Sequence, residues 1–422
     1  MKTILVQIPF ALMLVSVSFS QPAYTQTPIS KTSKLSQEVA MLRQKGQTGL
    51  EIFLKSHANE LNSANVQIRQ ALDSLCQQRD CYASQLYWYT DLEKAKAAAT
   101  ASGKPILSLR LLGNLETDLS CANSRFFRVA LYPNAEISKL LRENFILHWQ
   151  SVRPVPKVTI DFGDGRKLER TITGNSIHYI LDSSGRPIDA IPGLYGPKAF
   201  LDRLQQGEVA AKEYSKRNGS QREAFLRQYH SDRLNTLQNQ WTADLSKLGI
   251  QSPPRLVASP NNESATPSAT VAGAVAVSKM RVESPILNNL QPQSTENPNT
   301  PLEITDQATW SRIAQLYAES AKLDKNSIAL IGDKKFQSAK NPQDISKLIR
   351  NFEAAMALDT VRNEYILHRQ IHQWFVRGNQ TSYVDALNEK VYAELFLTPS
   401  NDPWLGLAPT DIYSAIDNEG IR

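Results

Sequence analysis

The chain has 422 residues, of which 41% are hydrophobic and 8% aromatic. That length and composition suit two or three domains with apolar cores and exclude a disordered polymer. The net charge of +6 combines 47 basic with 41 acidic residues. The densest basic stretch, 212–233, interleaves acidic residues on a helical pattern, which favours a solvated helix face over a nucleic-acid surface. We therefore expect no nucleic-acid partner.

The first 25 residues have the pattern of a secretory signal peptide. Lys2 precedes an uncharged apolar stretch at Ile4–Val17, and small residues permit cleavage after Ser20 or after Thr25. The apolar stretch is shorter than the roughly 20 residues that span a bilayer, and no later stretch is long enough either. We expect an exported protein, periplasmic or extracellular, without a membrane span in the mature chain.

The mature chain divides into five segments by periodicity and composition. They are a helical segment at 26–81, an α/β block at 82–206, a long charged helix at 207–250, a disordered linker at 251–300 and a helical domain at 301–422. The linker prediction follows from its proline, serine, asparagine and threonine content. The C-terminal helices are predicted to form a separate all-α module.

The chain has three cysteines, all in its first half: Cys76, Cys81 and Cys121. In an oxidising compartment two near neighbours pair readily, which predicts a disulfide between Cys76 and Cys81. Their spacing of five suits a helix end followed by a turn. Cys121 is left as an odd thiol.

The α/β block alternates helical and strand patterns. Its predicted elements, in chain order, are a helix at 91–102, a buried strand at 106–112, a helix opened by Cys121, a helix at 135–143, strands at 145–149, 177–181 and 187–191, and a closing helix at 193–204. This alternation predicts an α/β fold for the block.

Several residues within the α/β block have a characteristic order and spacing. They are Ala95 and Ala99 in the first helix, then Ser102-Gly103-Lys104-Pro105-Ile106, Cys121, Phe145-Ile146, and the hairpin residues Ile180-Leu181-Asp182 and Gly185. In order and spacing these residues resemble the thioredoxin superfamily, over about 125 of the 422 residues. The resemblance implies a thioredoxin-like α/β sandwich, in which a mixed sheet has helices on both faces and the reactive cysteine lies at the start of a helix.

The chain departs from that family at two positions and carries one insertion. The family's Cys-x-x-Cys motif is here Cys121-Ala122-Asn123-Ser124, so a serine replaces the resolving cysteine. The family has a proline before its third strand. The corresponding position in this chain falls near Ser176, and no proline is present there. Residues 153–173 form an insertion with a hairpin signal of its own.

Two interpretations of Cys121 remain open. A thiol at a helix N-terminus has a lowered pKa, and Ser124 and Arg125 are candidates to tune it by a hydrogen bond and by charge. Such a site would catalyse monothiol exchange, act as an isomerase or sense thiols. Alternatively, Cys121 is vestigial, and the chain is a non-enzymatic scaffold or binding protein of the cell envelope with a helical interaction module.

A second candidate site lies in the C-terminal helices. Glu364, His368 and His372 follow one another at a spacing of four, which places them on one helix face as potential metal ligands. A packed histidine pair is the alternative, and the pattern of a metalloprotease is absent. His148 and His178 lie in strand patterns and are expected in the core. No motif predicts a cofactor.

Overall fold

The computed structural model describes residues 31–171, 174–250, 307–335, 342–378 and 381–401. The predicted signal peptide and the predicted linker lie outside the described residues. Within the described ranges, no helix combines the length and the apolar character that a membrane crossing requires.

A five-stranded mixed sheet forms the centre of the fold. The strands along the chain are β1 Trp88–Tyr89, β2 Ile106–Leu112, β3 Ile146–Arg153, β4 Lys157–Asp161, β5 Lys167–Thr171, β6 Ser176–Leu181 and β7 Pro187–Pro192. The sheet order is β1-β3-β2-β6-β7, with β1, β3 and β2 parallel and with β6 and β7 antiparallel to their neighbours. Strands β4 and β5 pair separately as the hairpin predicted for the insertion. The predicted mixed sheet is confirmed.

The N-terminal helices have a small core of their own. They are α1 Lys31–Arg43, α2 Gln47–Ser56, α3 Ala58–Asn62, α4 Val66–Cys76 and α5 Cys81–Ser84. Leu50, Phe53 and Leu72 are fully buried there, next to Cys76 and Cys81. The predicted disulfide joins these two cysteines, with 6.3 Å between their Cα atoms. It ties the end of α4 to the start of α5.

Four helices accompany the sheet in the α/β block. They are α6 Leu92–Ser102, α7 Ala122–Phe126, α8 Ala135–Asn144 and α9 Pro197–Ser215, with a π-helical turn at Phe127–Leu131 after α7. Asp91 caps α6 because its side chain accepts hydrogen bonds from the backbone N–H groups of Glu93 and Lys94. Gly103 ends the helix with a φ of 70°, a conformation that glycine adopts without strain.

The long charged helix predicted at 207–250 is two helices. Helix α9 runs through position 206 and ends at Ser215, and α10 begins at Ser220 and continues to Lys247. Gly219 interrupts them with a φ of 50°, which a right-handed helix cannot accommodate. The predicted boundary at 206/207 therefore falls inside a helix.

The C-terminal helices do not form a separate module, which corrects the sequence prediction. They are α11 Gln307–Leu316, α12 Lys325–Lys335, α13 Pro342–Arg362, α14 Arg369–Arg377 and α15 Val384–Lys390, with π-helical turns at Asn363–His368 and Val391–Leu395. Their apolar residues belong to the same buried cluster as the strands. Amphipathic spacing predicts that a helix buries one face, but it does not predict what covers that face.

Polar contacts also join the C-terminal helices to the α/β block. Ser327 donates to the carbonyl of Ala130 at 2.9 Å, and Tyr179 donates to Asn388 at 3.3 Å. The buried guanidinium of Arg110 on β2 reaches Asp385 at 3.1 Å. The two halves of the described chain therefore share one interior.

Candidate functional site

Cys121 lies at the start of α7, where the sequence places it. The backbone N–H of Ser124 donates to its sulfur at 3.3 Å, so the thiol caps the first turn. The Ser124 hydroxyl does not tune the sulfur as expected, since it donates to the carbonyl of Asn114 at 2.7 Å.

The Cys121 thiol is sealed inside the protein, with an exposed fraction of 0%. Burial raises the pKa of Cys121 to about 11 and outweighs the opposing effects of the Ser124 N–H and the charge of Arg125. On the order of one thiol in ten thousand would be ionised at pH 7. The expected lowering of the pKa is therefore wrong in direction, because the loss of water on burial outweighs the hydrogen bonds and positive charges that favour the thiolate.

The C-terminal segment covers the loop beside Cys121. Tyr392 donates to the carbonyl of Asn175 at 3.2 Å, and the Asn175 amide donates to Thr398 at 3.2 Å. Ser176, at the position where the resemblance implies a proline, is buried and accepts a hydrogen bond of 2.6 Å from Asn123. The surface at the cysteine end of the sheet is thus occupied by this chain's own residues.

A second buried site contains the predicted residues Glu364, His368 and His372. The π-helical turn and α14 bring them together: His368 Nδ1 lies 3.1 Å from a Glu364 oxygen, and the two imidazole centroids are 4.1 Å apart. Two further residues complete this set. Asp189 comes from β7 and His230 from α10, and both are buried. We call Asp189, His230, Glu364, His368 and His372 the histidine–carboxylate cluster.

His368 lies between two carboxylates. Its Nδ1 faces Glu364, and its Nε2 lies 3.1 Å from Asp189 Oδ1. Burial alone would lower the pKa of His368, but the two carboxylates raise it to about 9. Burial alone would raise the pKa of Asp189, but the charge and hydrogen bond of His368 hold that pKa well below its usual range. In the absence of another cation, His368 is an imidazolium that donates to both acids.

The other two histidines contact each other through their Nδ1 atoms at 2.8 Å. His230 Nε2 lies 3.0 Å from the carbonyl of Ile188, which only accepts, so that nitrogen carries the proton. Burial lowers the pKa of His230 to about 4, so its Nδ1 accepts from His372 Nδ1. This tautomer leaves His372 Nε2 as a buried lone pair, without a hydrogen-bond partner among the described residues.

Glu364 connects the cluster to a shallow cleft of about 100 Å³. Arg203 donates to Glu364 at 2.7 Å and Tyr195 donates to it at 3.1 Å, and both also line the cleft. Arg233 lies 3.4 Å from the same carboxylate. The three histidines and Asp189 lie deeper and do not line the cleft.

Sequence reasoning found three members of the cluster and missed two. Asp189 is the single charged residue in an apolar strand. Because a buried charge requires a partner, this residue could have been predicted from the sequence to belong to a site. His230 carries no local signal, since its partner is 142 positions away. His148 and His178 are buried in the sheet as predicted, bonded to Ser108 and Tyr132 respectively.

The chain matches no family model, no curated protein and no solved structure. Its function is therefore inferred from the geometry of its own residues.

Proposed function

We propose that the chain is an exported, non-enzymatic scaffold or binding protein of the cell envelope, built on a thioredoxin-like domain that has lost thiol exchange. The observation that carries this proposal is the complete burial of Cys121, whose pKa is raised to about 11. A thiol can attack a disulfide only as an exposed thiolate, and this sulfur meets neither condition.

Two features support the thioredoxin-like domain. A mixed sheet carries a cysteine at the start of the helix that follows β2, and the sheet ends in the hairpin of β6 and β7. This is the order that the resemblance implies. The departures at Ser124 and Ser176 fit a domain that keeps the fold without the chemistry.

Export is supported by the disulfide and by the N-terminal pattern. A disulfide between Cys76 and Cys81 persists in an oxidising compartment and is rare where thiols are kept reduced. The signal-peptide pattern of the first 25 residues is consistent with that compartment. The two together support a periplasmic or extracellular location.

The test is the alkylation rate of Cys121 in the full mature chain, measured against pH in the native and the urea-unfolded protein. We expect slow labelling of the native protein across the neutral range and fast labelling after unfolding, with the ordinary thiol pKa of about 8.5. Cys121→Ser is the control for labelling elsewhere. Rapid native labelling with an apparent pKa at or below that of free cysteine would overturn the proposal.

A second variant tests whether the absence of the resolving thiol is the only obstacle to disulfide exchange. Ser124→Cys restores the Cys-x-x-Cys spacing, but position 124 is also fully buried. We expect no disulfide reductase activity from this variant, because substrates cannot reach either sulfur. Gain of reductase activity would show that the site is accessible and that the scaffold proposal is wrong.

A further inference from the structure

We propose that Asp189, His230, His368 and His372 bind one divalent transition-metal ion of the zinc class, at the junction between the sheet and the C-terminal helices. This set of ligands differs from the set predicted from the sequence. Glu364 hydrogen-bonds to His368 and does not bind the ion, while Asp189 and His230 supply ligand atoms.

The distances between ligand atoms suit such an ion. Asp189, His368 and His372 each offer one ligand atom, and these atoms lie within 4.8 Å of one another. Asp189 Oδ1 is 3.1 Å from His368 Nε2 and 4.0 Å from His372 Nδ1. A tetrahedral zinc ion with bonds of about 2.0–2.1 Å separates adjacent ligand atoms by about 3.4 Å. The observed distances lie on both sides of that value.

His230 lies beside this group, with its Nδ1 2.8 Å from His372 Nδ1 and its ring fully buried. It is not among the atoms that lie within 4.8 Å of one another, so it becomes the fourth ligand by a movement of its ring toward the ion. Three imidazole nitrogens and one carboxylate oxygen form a donor set that zinc accepts. Because all four ligands come from the protein, the site is structural and has no open position for a substrate.

The outer contacts of these ligands match those of metal-bound histidines. Metal-bound histidines almost always donate their second N–H to a carboxylate, a backbone carbonyl or water. His368 does so to Glu364 and His230 does so to the Ile188 carbonyl. Asp189 accepts from Tyr229 at 2.6 Å through the oxygen that does not face His368. Each ligand is therefore already oriented by a second partner, with His372 as the exception.

Metal binding changes the protonation of two rings in the cluster. His372 Nε2 has no hydrogen-bond partner among the described residues and stays without one whether or not the ion is bound. The ion bonds to Nε2 of His368, whose proton passes to solvent, and to Nδ1 of His372, whose proton moves to Nε2.

The test uses the full mature chain, produced without a polyhistidine tag and analysed for bound metal. We expect about one zinc ion per chain. A chelator should remove the ion and lower the midpoint of thermal unfolding, and added Zn²⁺ should restore both. His372→Gln and His230→Gln should lose the ion, whereas His148→Gln, which alters a buried histidine outside the cluster, should retain it.

Ligand variants could fail to fold, so a further variant keeps all four ligands. Glu364→Gln changes only the partner of His368 and should weaken Zn²⁺ binding by about tenfold or more, as measured by titration against a chelating indicator. The proposal is overturned if the metal-free wild-type chain takes up no Zn²⁺, which would leave the cluster as a proton-held ion network. Full Zn²⁺ binding by folded His372→Gln and His230→Gln chains would overturn it as well.

Discussion

Gly196 lies where the α/β block meets the C-terminal helices, and replacing it tests that contact. A Cβ atom at this position would lie 2.7 Å from the Cα of Ala321 and 2.9 Å from the carbonyl oxygen of Ser320. Both are backbone atoms, so neither can move without shifting the chain. The backbone N–H of Gly196 also donates to Thr360 at 2.8 Å, which fixes the glycine from the other side.

The expected cost of Gly196→Ala follows from three terms. Gly196 has a φ of −63°, which alanine adopts without strain, so the backbone conformation contributes no penalty. Overpacking against an unyielding neighbour costs about 1–3 kcal/mol. Losing glycine at the start of α9 costs about 0.5–1 kcal/mol, and the smaller entropy of the unfolded alanine chain offsets a similar amount. We expect a net loss of about 1–3 kcal/mol.

Urea unfolding of the full chain, followed by circular dichroism, measures this loss. Gly332→Ala is the matched control, because Gly332 lies in α12 and a Cβ atom added there would meet nothing within 4 Å beyond the neighbouring residues and backbone of its own helix. The control should gain about 0.5–1 kcal/mol, since alanine favours a helix over glycine. Equal or higher stability of Gly196→Ala relative to the wild type would refute the contact between the two halves.

Two predictions concern the N-terminal helices. Burial raises the pKa of Asp73 to about 6, so its contribution to stability is present below the ordinary carboxyl pKa and is lost as the pH rises through 6. Asp73→Asn keeps an acceptor for the N–H of Cys81, and the variant should be more stable than the wild type at pH 7 by at most about 3 kcal/mol. Equal unfolding midpoints of variant and wild type at pH 7 would contradict this prediction. Removing the disulfide by Cys76→Ala with Cys81→Ala should cost about 2 kcal/mol, because it closes a short loop with a separation of five residues. A reductant that leaves the wild-type urea midpoint unchanged would contradict this value.

The parts of the fold that local patterns encode could be predicted from the sequence. The strand at 106–112 follows Gly103-Lys104-Pro105 and is apolar at five of its seven positions, and the structure has it at the same residues. The disulfide follows from compartment and spacing, and the position of Cys121 at a helix start follows from the order of elements. Each of these depends on residues close together in the chain.

The burial of Cys121 and the composition of the cluster could not be predicted, because they depend on residues far apart. Asn175 and Tyr392, which meet beside Cys121, are 217 positions apart. Asp189 and His368 are 179 positions apart. Helical periodicity gives the buried face of α14, but it contains no information about which strand or helix that face meets. A reactive, exposed thiol was therefore a reasonable expectation from local sequence and is not what the fold provides.

The shared interior has a consequence for how the polypeptide can be divided. Residues before position 251 and after position 306 fill one apolar cluster. Hydrolysis of a single peptide bond within 251–306 would therefore leave two fragments that remain associated as a non-covalent heterodimer. A gene truncated after codon 250 would instead encode a polypeptide with an uncovered apolar surface, including Phe126, whose ring packs against Phe352. Such a fragment would need its complement synthesised alongside it in order to stay in solution.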